Sequence, residues 1–341
     1  MLPPLPLLCA FAAKPLAERP CDLFGAAGTP CVAAHSTVRA LYASYTGALY
    51  QLRRESDGAL RDIGVLAAGG VADAAAQEAF CQAQPCVIAR IYDQSPSRNH
   101  LGVAAGGGAR PSADRPANAS AERLYVDGHA VYSAYFEGGM GYRNDTTTNI
   151  AKGDEAQCIY MVTSGRHFNN GCCFDYGNAE TDNLDEGAGT MEALYFGNAT
   201  GGLNHGGKGP GPWIMADMEN ALWGANVVKS NEEPIFHEFV TAMIKGDSGP
   251  APGHWAIKGG NAQAGGLKVY WDGERAPGYA PMKKQGAIIL GIGGDNSNWA
   301  TGTFYEGAMV KGYTSDAVDD AVQANIVSAG YMSASSKKSR S

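Results

Sequence analysis

The chain has 341 residues with 26 basic and 34 acidic side chains, a formal charge of −8, and no basic stripe able to neutralise nucleic-acid phosphates. With 45% hydrophobic and 18% charged residues it can bury a large core, which excludes a wholly disordered chain. After the first dozen residues nothing approaches the ~20 consecutive apolar residues of a membrane-spanning helix. Glycines (46) and prolines (17) interrupt the sequence too often for long helices, and aromatic residues fall in short alternating runs, so an all-β fold is predicted.

Residues 2–13 (LPPLPLLCAFAA) are apolar and end in small residues, so residues 1–13 are expected to be a secretory leader. Between Cys21 and Arg54, residues 35–50 admit a short helix followed by a strand, and periodicity does not decide. CVIARIYDQS predicts a strand with Val87, Ala89 and Ile91 on one face, stopping at Ser95-Pro96. A loop rich in Gly, Ala and Pro (102–119) leads to predicted strands at 123–126, 131–136, 158–163 and 191–195. The second half adds strands at 213–219, 236–245, 254–258, 267–271, 287–292 and 303–310. One helix is predicted near the end: Ser315 caps it, Asp316, Asp319 and Asp320 occupy its first turns, and Val318, Val322 and Ile326 share a face before Gly330. Residues 332–341 read as a frayed polar tail, and no repeat or linker divides what precedes them, so one sandwich-like domain is expected.

Cys21 with Cys31, and Cys81 with Cys86, lie close enough in sequence to close small loops, a pairing that belongs to an oxidising compartment. Paired cysteine spacings with matching histidines are absent, so no metal is expected. Cys158, inside the apolar run CIYMV, reads as a buried thiol. Adjacent Cα atoms lie only ~3.8 Å apart across a trans peptide, below the usual disulfide span. For Cys172 and Cys173 that leaves open a vicinal bridge, two separate thiols, or pairing of one with Cys158. Sequons at Asn118, Asn144 and Asn198 are candidate glycosylation sites.

Three patches carry acids beside glycine, asparagine or aromatic residues: CCFDYGNAE (172–180), PWIMADMEN (212–220) and GIGGDNSN (291–298). On a strand, Asp217 and Glu219 project from one face, and their heavy apolar flanks predict burial, which costs a carboxylate free energy that structure alone seldom justifies. Asp295 follows glycines that end an apolar strand; alone it reads as an Asx-turn residue. Beside a second carboxylate it reads instead as the general acid of glycoside hydrolysis. Sulfur beside Phe174 and Tyr176 offers a rigid surface for a sugar face. His167 and His205 read as loop residues, no G-x-S-x-G elbow supports a serine hydrolase, and GIGG lacks the dinucleotide register.

Taken together, the three patches resemble the catalytic domain of glycoside hydrolase family 54, the α-L-arabinofuranosidase B type. The likeness extends through CVAAHSTVRALY (31–42), GGVADAAAQEAFC (69–81), IYDQSPSRNHL (91–101), GAIILGIGGDNSN (286–298) and GTFYEGAM (302–309), over about residues 21–331. The resemblance implies a concanavalin-like jelly-roll β-sandwich and retaining, exo-acting removal of terminal α-L-arabinofuranosyl groups from arabinan and arabinoxylan, with no cofactor. It implies that Glu219 is the nucleophile and Asp295 the acid/base. Asp217, Asn220, Gly294 and a Cys172–Cys173 disulfide would line the sugar pocket, with Cys21–Cys31 and Cys81–Cys86 as the other bridges. A secreted monomer acting on oligosaccharide or polysaccharide, without nucleic-acid or membrane partners, is expected.

Departures from the family pattern bear on substrate. The loop 197–211 lacks the tryptophan that family members place near the sugar, with Leu203 or His205 in its place, and Trp299 stands where the family has a small residue. No arabinan-binding β-trefoil is found after the catalytic domain, so weaker attachment to insoluble polymer is expected. Alternatives on the same scaffold are a β-D-galactofuranosidase, a β-xylosidase, and a non-catalytic glycan-binding lectin.

Overall fold

Turn-forming glycines and prolines cut the chain into short strands that pair almost wholly antiparallel. The computed structural model describes residues 17–225, 232–247, 249 and 252–338; the expected leader lies outside them. In chain order the first elements are α1 (Pro20–Ala26), β1 (Cys31–Ser36), β2 (Ala48–Arg54), β3 (Leu60–Gly64), α2 (Ala74–Cys81), β4 (Cys86–Ile91) and β5 (Leu101–Val103). Next come β6 (Arg123–Val126), β7 (His129–Tyr132), β8 (Ala134–Phe136), β9 (Tyr142–Asn144), β10 (Gln157–Ser164), β11 (Asp175–Ala179), β12 (Glu192–Gly197), β13 (Trp213–Asp217) and β14 (Leu222–Trp223). The last are β15 (Phe239–Asp247), β16 (His254–Asn261), β17 (Ala264–Glu274), β18 (Ala287–Leu290), β19 (Gly302–Lys311), α3 (Asp316–Ser328), β20 (Met332–Ser333) and α4 (Ala334–Lys338).

A seven-stranded sheet runs β1-β19-β10-β15-β16-β17, with β8 also on β19, and packs against a ten-stranded sheet ordered β14-β13-β12-β11-β18-β9-β5-β4-β2-β3. This is the expected all-β sandwich. Alternate residues meet between the sheets: Ile159 and Met161 from one, and Leu194, Phe196, Ile214, Ala216, Ile288 and Leu290 from the other, join one core cluster. The intervening residues Tyr195, Trp213 and Met215 therefore face away from the seven-stranded sheet, where they pack with Leu222 and Cys173. That outer face of the ten-stranded sheet carries the site.

The far side of the molecule is capped by helices. Arg39 grips Glu306 through two nitrogens (2.5 and 2.7 Å) and reaches Asn325 of α3 (3.0 Å). Asn325 Nδ2 in turn donates to Glu18 O (2.7 Å), so the start of the described chain is tied to α3. Lys245 and Lys258 both bond Asp319 on α3.

Several local expectations change. Residues 37–47 form turns rather than a helix. Helix α1 starts from Pro20 with Asp22 accepting from Arg19 N–H (2.9 Å), and α2 from Asp73 accepting from Ala76 N–H (2.9 Å); both cap signals precede runs too short for a periodicity argument. In β4 a bulge opposite Gln51 and Leu52 shifts the alternation, so Ile88 is buried while Ala89 is half-buried. Helix α3 forms as expected, yet Ser315 makes no side-chain cap bond. The polar tail is ordered at its start: β20 pairs with β6 through Met332↔Tyr125 and Ser333↔Leu124, because the β6–β7 hairpin presents an unpaired edge.

Candidate active site

The run GIGGDNSNW (291–299) leaves β18 and folds back on itself. Asn296 N–H donates to Gly293 O (3.1 Å), while Gly293 and Cys173 N–H both donate to Ser297 O (2.9 and 3.2 Å). Ser297 N–H donates to Asp295 Oδ1 (3.0 Å). The Asx turn is thus present, and it orients one carboxylate oxygen of a half-buried side chain. Ser297 Oγ stands 3.7 and 3.8 Å from the sulfurs of Cys172 and Cys173. Those sulfurs are bonded to each other, as are Cys21–Cys31 and Cys81–Cys86, and Cys158 is buried and free.

Asp217 ends β13, two residues before the expected end of that strand. The chain must reverse at once to lay β14 back on β13, and Glu219 and Asn220 take left-handed φ values of 66° and 61°. A turn, rather than one face of a strand, therefore brings the two acids together. Glu219 N–H donates to Asp217 Oδ1 (3.1 Å), and Tyr279 OH holds the turn by donating to Glu219 O (2.8 Å). Asn220 is exposed beside it.

Gly294 is the meeting point. A Cβ there would overlap Glu180 Oε2 and come within 3.1 Å of Glu219 Oε2, so only glycine lets the Asp295 loop close against the Glu219 turn. Arg143, buried on β9, ties the same junction: Nη1 donates to Gly294 O (2.8 Å) and Nη2 to Glu180 O (2.5 Å). Glu180, Asp175 and Arg143 were not singled out from the sequence. The first two lie inside the CCFDYGNAE patch, where a strand of alternating aromatic and acidic residues was the available signal.

Asp175, Glu180, Asp217 and Glu219 are all buried, Asp295 is half-buried, and no ion pair among the described residues reaches any of the five. Burial first, then the charges of Asp217 and Glu180, push the Glu219 carboxyl up to about 11. Burial likewise raises Asp217 to about 7, and burial together with the Asp217 charge holds Asp175 far above the carboxylate range. Burial also raises Glu180, whose Oε1 accepts from Thr190 Oγ1. The acids thus form two proton-sharing pairs, Asp175 with Asp217 and Glu180 with Glu219. The floor is the disulfide, with Cys173 Sγ 3.3 Å from Asp217 Oδ2. Because its sulfurs are joined, Cys172, Cys173 and Asp217 offer no thiolate pair to a metal.

The histidines stay outside this cluster: His167 stacks on Tyr135 and bonds Thr303 Oγ1 (2.8 Å), and His205 packs on Trp223 with ring centroids 4.1 Å apart. Leu203 is 62% exposed in the loop before it. Of the sequon asparagines, Asn144 and Asn198 donate their side-chain amides to the carbonyls of His100 (3.0 Å) and Pro210 (3.2 Å). Asn118 Oδ1 accepts from Ser120 N–H (2.8 Å).

The family model described as "Alpha-L-arabinofuranosidase B, catalytic" matches residues 20–332. A probable α-L-arabinofuranosidase B of Aspergillus flavus is 51% identical over 332 residues, covering 95% of this chain and 64% of the relative. An arabinofuranosidase/β-xylosidase of Trichoderma koningii is 50% identical over 331 residues, covering 95% and 65%. A crystal structure of an arabinofuranosidase complexed with arabinofuranosyl-α-1,2-xylobiose superposes with a TM-score of 0.87 at 49% identity, over 93% of this chain and 66% of that one. The chain thus spans about two thirds of the length of the proteins it matches. With a family model spanning nearly the whole described sandwich and relatives at half identity, the chain belongs to the α-L-arabinofuranosidase B catalytic family, glycoside hydrolase family 54.

Proposed function

We propose that the chain is a retaining, exo-acting α-L-arabinofuranosidase that removes terminal non-reducing arabinofuranosyl groups from arabinan, arabinoxylan or related glycans. The observation that carries this reading is the convergence of Glu219 and the Asp295 loop at Gly294, above a disulfide floor and with no ion pair to either acid among the described residues. In a retaining reaction the two carboxyl groups lie about 5 to 5.5 Å apart. Glu219 attacks the anomeric carbon and Asp295 protonates the departing oxygen; Asp295 then takes the proton of the water that releases the sugar.

Attack requires Glu219 to be ionised. Burial and the neighbouring charges of Asp217 and Glu180 hold the shared proton on Glu219 in the free site, so it must pass to Glu180, whose Oε1 is fixed by Thr190 and whose Oε2 is left open to receive it. Glu180 is in this reading a positioning residue. Asp217, Asn220, Gly294 and the Cys172–Cys173 disulfide line the sugar pocket, supported by Asp217 Oδ2 beside Cys173 Sγ and the glycine-only space at 294.

The test is a panel of aryl glycosides. Release from the α-L-arabinofuranoside, abolished in Glu219→Gln, supports the reading; a folded enzyme that releases nothing from any furanoside or xyloside overturns it. The Trichoderma koningii relative, by its name, also favours including the β-D-xyloside, and β-D-galactofuranoside completes the set. Glycan binding without turnover would instead favour the lectin. We further propose a secreted monomer bearing glycans at Asn118, Asn144 or Asn198, supported by three disulfides, which persist in oxidising compartments.

A further inference from the structure

Of the five tryptophans, Trp213 and Trp255 are fully buried and Trp223 nearly so, while Trp299 is 46% exposed. The Arg110 guanidinium packs over its ring, 4.8 Å from the centroid, fixing the plane of the indole. Trp299 borders a groove of about 670 Å³ whose walls include Arg110, Asp114, Arg115, Gly139 and Asn298. That size falls within the ~300–1,000 Å³ of small-ligand clefts. Arg110 and Arg115 are exposed, and neither is ion-paired among the described residues.

The groove is built onto the acid/base loop. Ala109 N–H donates to Asp295 O (2.9 Å), Asn296 Nδ2 to Arg110 O (3.2 Å), Asn298 Nδ2 to Asp114 Oδ1 (2.6 Å), and Gly139 N–H to Asn298 O (2.7 Å). The backbone N–H of Trp299 donates to Cys172 O (2.9 Å), tying this residue's main chain to the pocket floor. A general acid must sit beside the oxygen that leaves, so whatever is attached to that oxygen meets the elements wrapped around Asp295.

We propose that this groove is the leaving-group subsite, holding the pyranose that carries the arabinofuranosyl branch, with its C–H face on Trp299 and its hydroxyls on Arg110 and Arg115. The proposal rests on the arabinofuranosidase reading and adds to it the side chains that this chain presents to the leaving group. An indole held against a guanidinium supplies apolar area at little entropic cost, and the two guanidiniums supply only donors, matched to hydroxyl oxygens.

The experiment compares kcat/KM for an arabinosyl-substituted xylo-oligosaccharide with that for methyl α-L-arabinofuranoside, whose methanol leaving group is too small to fill the groove. Trp299→Ala should lower the oligosaccharide-to-methyl ratio about three- to tenfold, chiefly through KM, the worth of one aromatic stacking contact. Trp299→Phe should restore most of it, and Arg110→Ala should lower it less. Ratios equal to wild type in both Trp299→Ala and Arg110→Ala overturn the subsite while leaving the arabinofuranosidase reading intact. A wild-type enzyme that cleaves neither substrate overturns both.

Discussion

Glu192 and Glu219 lie at the same end of two paired strands, since Ala193 of β12 faces Asp217 of β13 and each glutamate is a residue or two away. Glu192 turns inward between the sheets, where Arg275 Nη1 (2.6 Å) and Lys284 Nζ (3.1 Å) meet it and draw its carboxyl down to about 2 despite full burial. Glu219 turns outward among other acids, and its carboxyl goes the other way, to about 11. Burial is comparable, so the partner decides the sign. A carboxylate supplied with cations is held as a structural ion; one denied them keeps a proton within reach of a reacting atom.

The sharpest way to break that contrast is to remove one charged group from each side. Glu219→Gln should leave a folded protein whose turnover of an aryl arabinofuranoside falls on the order of 10³-fold or more, read by steady-state kinetics. On the paired side, Arg275→Met strips Glu192 of its main partner and should cost about 3–5 kcal/mol in urea unfolding, because a buried charge is left under-compensated. Equal stability would show that Lys284 alone suffices.

Glu180 refines the unpaired side. Its charge helps raise Glu219, so Glu180→Gln, which removes the charge but keeps a donor, lowers the pH at which Glu219 takes up a proton. The acid limb of the kcat/KM profile should therefore move to lower pH, whereas Glu180→Ala should cost activity about tenfold or more. An unmoved limb in Glu180→Gln would sever Glu180 from Glu219.

The smallest effect concerns the pH dependence of stability. Glu192, with its folded pKa depressed to about 2, contributes stability that is present above its unfolded value and lost only as pH falls toward 2. Glu219 and Asp217, raised to about 11 and about 7, are best accommodated below their unfolded values and become costlier as pH climbs. The Tm should thus decline from about pH 4 toward pH 8, and decline less steeply in Glu219→Gln. Parallel slopes would mean that the cluster is not what sets them.

Much of this was legible in the chain itself. The strands at 123–126, 158–163 and 303–310 were read close to their bounds because alternation and turn residues mark them locally. Asp217, Glu219 and Asp295 stood out through their neighbours. What was hidden depends on pairing between distant segments. Glu180 becomes a partner of Glu219 only because β11 sits between β12 and β18, and Arg143 reaches both loops only because β9 joins the same sheet. The left-handed turn at Glu219 was invisible for a related reason: glutamate gives no conformational signal of its own, and the reversal is imposed by β14.

The bond from Asn325 to Glu18 sets the start of the described chain against α3, on the helical side of the seven-stranded sheet, with the thickness of the sandwich between it and the acidic cluster. A resin, a dye or an additional module coupled there would leave the cleft unobstructed.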